Sequence, residues 1–120
     1  MLKTFCQAKI HRVTVTSVNL DYEGSITVDS DLLRAAGIQP YEQVHVLDID
    51  NGSRFITYAI EGEPGSGTIQ VNGAAAHLCK KGDLAIIISY CQLTKEESLN
   101  FRPRVVHVNS RNQQVQLIGG

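Results

Sequence analysis

The sequence predicts a mainly β protein, a sandwich or small closed barrel, and three observations carry that expectation. Val, Ile and Thr supply 29 of the 120 residues, whereas Ala supplies eight and Trp none, a bias toward half-buried pleated structure. Short apolar or alternating segments recur at strand-like spacing, with Gly, Pro, Asn and Asp between them. The hydrophobic fraction of 42% in a 13.2 kDa chain suits one compact core, since about two-thirds of the unfolded surface is buried at this mass. The expectation is therefore a single domain over residues 1–120.

In chain order the expected strands are Ile10–Thr16, Ser25–Val28, Gln43–Asp50, Arg54–Ile60, Thr68–Val71, Leu84–Cys91, Val105–Val108 and Val115–Ile118. Between the second and third, Asp29-Ser30-Asp31-Leu32-Leu33-Arg34-Ala35-Ala36-Gly37 has capping residues in front and a glycine behind, the marks of a short helix. Asn51-Gly52 predicts a hairpin with a type I′ turn, because this dipeptide tolerates positive φ at both central positions. Gly62-Glu63-Pro64-Gly65-Ser66-Gly67 reads as a surface loop. Thr94-Lys95-Glu96-Glu97 reads as a capping box that opens a second helix. Beyond Arg102 the chain is polar and weakly patterned, which predicts partial disorder over the last dozen residues.

Charge and composition exclude several functions. Eleven basic against twelve acidic residues give a net charge of -1 and a pI near 6.4, which argues against a nucleic-acid partner. The longest apolar run, Leu84-Ala85-Ile86-Ile87-Ile88, is far short of a membrane span, so no membrane partner is expected. The first residues lack the apolar stretch of a secretory signal, and the expected address is the cytoplasm. Cys6, Cys79 and Cys91 are odd in number and lack CxxC spacing, so each is read as a small buried hydrophobe. The four histidines, His11, His45, His77 and His107, have no Cys or carboxylate at ligand spacing, so no metal site is expected. No phosphate-cradling loop, HExxH or nucleophile elbow is present.

Four polar clusters remain, each with an ordinary reading beside the functional one. Lys9-Ile10-His11-Arg12 puts Lys9 and His11 on one strand face, ordinarily a solvated one. Tyr22-Glu23-Gly24-Ser25 ordinarily marks a turn. In Arg54-Phe55-Ile56-Thr57-Tyr58, Arg54 and Tyr58 share a face and Thr57 points the opposite way; a strand tyrosine is ordinarily a packing residue with a wet hydroxyl. Asn72-Gly73-Ala74-Ala75-Ala76-His77 is ordinarily a tight turn into one helical turn, but its backbone N–H groups, unshielded by side chains, could also bind an anion.

Taken together, in this order and spacing, the four clusters resemble the pyruvoyl-dependent aspartate 1-decarboxylase family over about Met1 to Arg102. The resemblance implies a six-stranded double-psi β-barrel with a few short helices and a homotetramer with active sites between neighbouring subunits. It implies conversion of L-aspartate to β-alanine and carbon dioxide, feeding pantothenate biosynthesis. Losing an α-carboxylate leaves a carbanion that needs an electron sink, most often pyridoxal phosphate. The family instead makes a pyruvoyl group from its own chain, and Gly24-Ser25 matches that site. The Ser25 hydroxyl attacks the Gly24 carbonyl, the chain splits into 1–24 and 25–120, and Ser25 becomes the ketone that forms a Schiff base with aspartate. Glycine is expected at 24 because it adopts strained backbone angles and exposes its carbonyl.

By the same resemblance Thr57 stabilises the cleavage intermediate, Tyr58 is the proton donor, and Lys9 and Arg54 hold substrate carboxylates. The N–H groups of Gly73, Ala74 and Ala75 add a carboxylate contact, and Asn72 holds substrate or the processing site. Tyr22 and His11 either line the site or support the cleavage loop. No metal and no pyridoxal phosphate are implied, and processing with or without a maturation partner stays open. Two other readings compete: a non-catalytic β-barrel interaction or oligomerisation module, and a serine hydrolase pairing Ser25 with His11 or His77.

Overall fold

The computed structural model describes residues 1–120. Nine strands form: β1 Lys3–Thr14, β2 Ser17–Asn19, β3 Ser25–Asp29, β4 Gln43–Asp48, β5 Arg54–Gly62, β6 Ile69–Asn72, β7 Leu84–Leu93, β8 Arg104–Val108 and β9 Gln114–Ile118. Two short helices, α1 Ser30–Ala36 and α2 Lys95–Ser98, and a 3₁₀ helix over Gly73–Leu78 complete the chain. No helix is long and apolar enough to cross a membrane.

Hydrogen bonds connect the strands in the order β2-β6-β3-β5-β4-β7-β1-β8-β9. This ladder closes on itself because β1 and β2 are two halves of one bent strand. Across their junction Val15 N–H donates to Asp83 O at 2.9 Å and Thr16 N–H donates to Ile69 O at 2.8 Å. The long strand keeps β7 on one edge and is paired first by β8 and then by β6 on the other. Counting β1 and β2 as one, six strands make a closed ring. Two bulges, one of them holding Arg12 at φ 63°, supply the bend.

Within the ring, β2–β6 and β3–β5 are parallel and the other pairs antiparallel. Exchanging the first three ring strands with the last three maps every pair onto one of the same sense. This twofold-repeated, six-stranded ring is the double-psi arrangement, with β8 and β9 added outside it.

Alternation decides what faces inward. Ala8 and Ile10 of β1, Val44 and Val46 of β4, Ala85 and Ile87 of β7 and Val71 of β6 all enter one cluster of 20 buried residues. Helix α1 caps one end of it with Leu32, Leu33 and Ala36. The buried Asp29 caps α1 through Asp31 N–H and also accepts from Gly65 and Gly67, fixing the glycine-rich loop onto the barrel. Gly37 closes the helix in the left-handed conformation at φ 72°, and α2 carries the expected capping box between Thr94 and Glu97.

Two local expectations need correction. The Asn51-Gly52 hairpin forms between β4 and β5, but only Gly52 has positive φ, so the turn is not type I′. The buried Asp48 carboxylate accepts from Asp50 and Asn51 N–H, and Gly52 N–H bonds back to Asp48 O, winding residues 49–53 into a wider loop. The C-terminal segment is ordered: β8 pairs in parallel with β1, and β9 returns antiparallel to β8. Asn112 is the pin. Buried and at φ 58°, it accepts from Thr14 N–H at 2.7 Å and donates to Thr14 O and Gly67 O, both at 2.8 Å.

Replacing Asn112 by Gly keeps the backbone conformation and removes three hydrogen bonds to buried backbone groups. Stability should fall by about 2–3 kcal/mol in chemical denaturation, with faster amide exchange concentrated in β9.

Candidate active site

Ser25 opens β3, the strand between β6 and β5. Asn72 is its direct partner on β6, and on β5 the register that pairs Ile26 with Ala59 places Tyr58 beside it. Ile26, Val71 and Ala59 fill the core, so Ser25, Asn72 and Tyr58 share the outward face of the barrel. Ser25 and Asn72 are nevertheless buried, at 1% and 0% exposure.

Asn72 Nδ2 donates to Ser25 Oγ at 2.9 Å and to Thr27 Oγ1 at 3.0 Å, while its own Oδ1 accepts from Gln70 Nε2 at 2.7 Å. Gln70 Oε1 in turn accepts from Ser17 Oγ at 2.8 Å. Four side chains on three strands therefore fix one serine hydroxyl. That hydroxyl donates to Glu23 O at 3.2 Å, across the Gly24 peptide.

The glycine whose backbone matters is Gly73, not Gly24. Gly24 has no positive φ, and a Cβ there would meet nothing within 4 Å, contrary to the expectation of strain. Gly73 has φ 74°, and a Cβ on it would lie 2.7 Å from Gly24 Cα and 2.8 Å from Gly24 N. Only a hydrogen at position 73 lets the start of the 3₁₀ helix press against the backbone at Gly24. By 3₁₀ geometry the first N–H groups of that helix, at Gly73 and Ala74, have no partner within it.

A cavity of about 540 Å³ opens at this point. Ser25, Tyr22 and Tyr58 line it, as do Glu23, Tyr41 and Glu61. The Tyr41 and Tyr58 rings lie 6.4 Å apart. Sequence reasoning missed Tyr41, which stands at φ 72° after Pro40; that dipeptide is the one signal that could have drawn attention to it.

The other expected residues lie elsewhere on the chain. Arg54 is on the same strand face as Tyr58 but four residues away, about 13 Å along the strand. Its Nη2 donates to Tyr90 Oη at 2.9 Å, and Tyr90 stacks edge-on against His45, a pair that sequence reasoning also missed. Lys9 lies on β1, opposite Ile88 of β7 and Val105 of β8. His11 packs edge-on against His107 at 5.3 Å, and neither it nor His77 bonds to Ser25, so no serine–histidine pair exists. Thr57 points away from Arg54 and Tyr58, paired with Val44; the β3–β5 register, continued outward, leads to Gly24 opposite it. Of the cysteines only Cys79 is buried; Cys6 and Cys91 are half-buried, and all three are free.

The fold and site define a class: a six-stranded barrel presenting a buried, hydrogen-bonded serine hydroxyl beside a glycine peptide, with a tyrosine in the adjoining cavity. The model of the aspartate decarboxylase family matches residues 1–115, beyond the Arg102 limit read from the sequence, and the chain belongs to that family. An aspartate 1-decarboxylase of Thermoanaerobacter pseudethanolicus is 53% identical over 117 residues, covering 98% of this chain and all of that protein. One of Caulobacter vibrioides is 57% identical over 112 residues, covering 93% and 95%. Among solved structures, the computationally designed msDPBB_sym2 protein aligns with a TM-score of 0.47 at 18% identity, over 71% of this chain and 96% of the design.

Burial lowers the His11 pKa below its ordinary 6.5, and the positive charges of His107, Arg12 and Lys9 add to the effect. A depressed histidine favours the folded state only while neutral. Its contribution is complete above about pH 6.5 and disappears as the pH falls through the folded value. His11→Gln should therefore flatten the stability–pH curve just below about pH 6.5, between the ordinary and the folded value, read by denaturant titration.

Proposed function

We propose that this chain decarboxylates L-aspartate at the α-carbon to β-alanine and carbon dioxide, using a pyruvoyl group made from its own Ser25. The observation that carries the reading is the buried Ser25 hydroxyl, fixed by Asn72 beside the Gly24 peptide in the cavity that also holds Tyr58. The pyruvoyl ketone supplies the electron sink that loss of an α-carboxylate requires.

The residues around Ser25 suit that group's formation. Ser25 Oγ adds to the Gly24 carbonyl carbon, the peptide C–N bond breaks, and residue 25 is left with a free amine and an ester to Gly24. Loss of the Cα proton then expels the Gly24 carboxylate, and water displaces the nitrogen as ammonia. Asn72 holds the Ser25 hydroxyl, and the strand register and the close approach of Gly73 to Gly24 make Thr57 and the first N–H groups of the 3₁₀ helix the candidates to stabilise the oxygen that turns negative. Tyr58 sits beside residue 25 and gives the proton that replaces the lost carboxylate.

Charge sets the remaining requirement. Aspartate carries two carboxylates, yet the cavity of one chain contributes Glu23 and Glu61 and no cation. Arg54 does not line that cavity: it stands four residues, about 13 Å of strand, from Tyr58, and its guanidinium donates to Tyr90. A neighbouring copy must therefore present Arg54 and Lys9, which accords with a homotetramer whose sites lie between subunits. His11 and Tyr22 support the margins, Tyr22 from within the cavity. The reading implies a cytoplasmic enzyme that feeds pantothenate biosynthesis.

Denaturing intact-mass spectrometry should find two fragments broken between Gly24 and Ser25. Ser25→Ala should leave one chain and no β-alanine; normal β-alanine production by that variant would overturn the proposal. Tyr58→Phe should still cleave but lose about 10²–10⁴-fold in turnover. Gly73→Ala, whose Cβ collides with Gly24, should fold with reduced stability and fail to cleave.

A further inference from the structure

At the end of the barrel where the 49–53 loop meets the start of β7, Asp48, Asp50 and Asp83 converge. One carboxylate oxygen from each lies within 4.8 Å of the others. Each residue has an oxygen tied to backbone. Asp48 Oδ1 accepts from Asp50 and Asn51 N–H at 2.8 and 3.1 Å, Asp50 Oδ2 from Leu84 N–H at 2.8 Å, and Asp83 Oδ2 from Lys80 N–H at 3.0 Å. The second oxygen of Asp48 is different. Asp48 is 2% exposed, and its Oδ2 is buried with no hydrogen-bond partner while facing Asp83.

A buried, unpartnered carboxylate oxygen is costly, and two further carboxylates beside it raise the cost. No cation of the chain relieves it: the one ion pair is Arg34–Asp31, Lys80 acts on Asp83 only at a distance, and the Asp83 carboxylate can bond to Asp48 only by sharing a proton with it. What the group lacks is a cation.

From this arrangement we infer that Asp48 Oδ2, with one oxygen each from Asp50 and Asp83, forms a binding site for a hard divalent cation of the calcium type. An all-oxygen donor set in an irregular loop suits calcium better than magnesium, which demands near-ideal octahedral geometry. The three converging groups are all carboxylates, so the cluster offers a soft metal neither thiolate nor imidazole. Bound cation would tie the β4–β5 loop to the entry of β7. It would also brace the 3₁₀ helix, since Asn51 Nδ2 in that loop donates to Leu78 O at 2.8 Å.

Calorimetric titration of the chelator-treated full-length protein with calcium chloride at neutral pH tests the site. The expected result is one cation per chain with a Kd of about 10⁻⁴–10⁻³ M, and a melting temperature raised by about 5–11 °C at 10 mM calcium. Magnesium chloride should act more weakly. Asp50→Asn and Asp83→Asn, at less buried positions, should each fold and process normally but weaken calcium binding at least tenfold. Absence of both heat and a melting shift with 10 mM calcium or magnesium would overturn the assignment. So would an unchanged response in the Asp50→Asn/Asp83→Asn double variant, or a melting temperature that follows pH alone; the last would mean that Asp48 and Asp83 share a proton instead.

Discussion

Everything in this fold depends on one strand satisfying three partners. The segment from Lys3 to Asn19 gives one edge to β7 and divides the other between β8 and β6, so the sheet closes without a free edge in the ring. An open sheet would expose a row of unpaired N–H and C=O groups. Closure needs a bend, and the two bulges and the junction at Val15 and Thr16 provide it. Because the ring is closed, the position of β3 between β5 and β6 is fixed. The Tyr58–Ser25–Asn72 row follows from that placement.

The site is an outward-facing row made buried by its own hydrogen bonds. Asn72 spends its amide on Ser25 and Thr27, and its carbonyl on Gln70. In such a network each member loses more by leaving than a single surface bond would give, which holds the serine in one orientation. The glycine at 73 acts by what it lacks. Its missing Cβ lets the start of the 3₁₀ helix approach the backbone at Gly24.

Electrostatics divide the molecule into regions that depend on something beyond the chain. The cavity at Ser25 has carboxylates and no cation, while Lys9 and Arg54 lie on other parts of the barrel surface. On the proposed reading, a dianionic substrate takes its counter-charge from a second copy. At the barrel end, Asp48, Asp50 and Asp83 gather negative charge around a buried oxygen without a donor. Both places gather negative charge that no cation of the same chain offsets.

Local sequence chemistry was enough for the mainly β class, both short helices and their caps, the hairpin at Asn51-Gly52 and the pairing of Ser25 with its neighbours Tyr58 and Asn72 as candidates for one site. These depend on local chemistry: alternation, capping side chains and glycine conformations act over a few residues. The split between Thr57 on one face and Arg54 with Tyr58 on the other was likewise legible from period two alone. Tertiary structure decided what depends on contacts across the chain. The tail is ordered because Asn112 reaches Thr14 and Gly67, ninety-eight and forty-five positions away, a pairing no local pattern encodes. The turn widened because the buried Asp48 captured two N–H groups. The need for glycine moved from 24 to 73 because the collision lies between segments distant in sequence. Arg54 and Tyr58 share a strand face yet stand about 13 Å apart along it, since the rise of a strand fixes that separation and only the barrel shows which neighbours fill it.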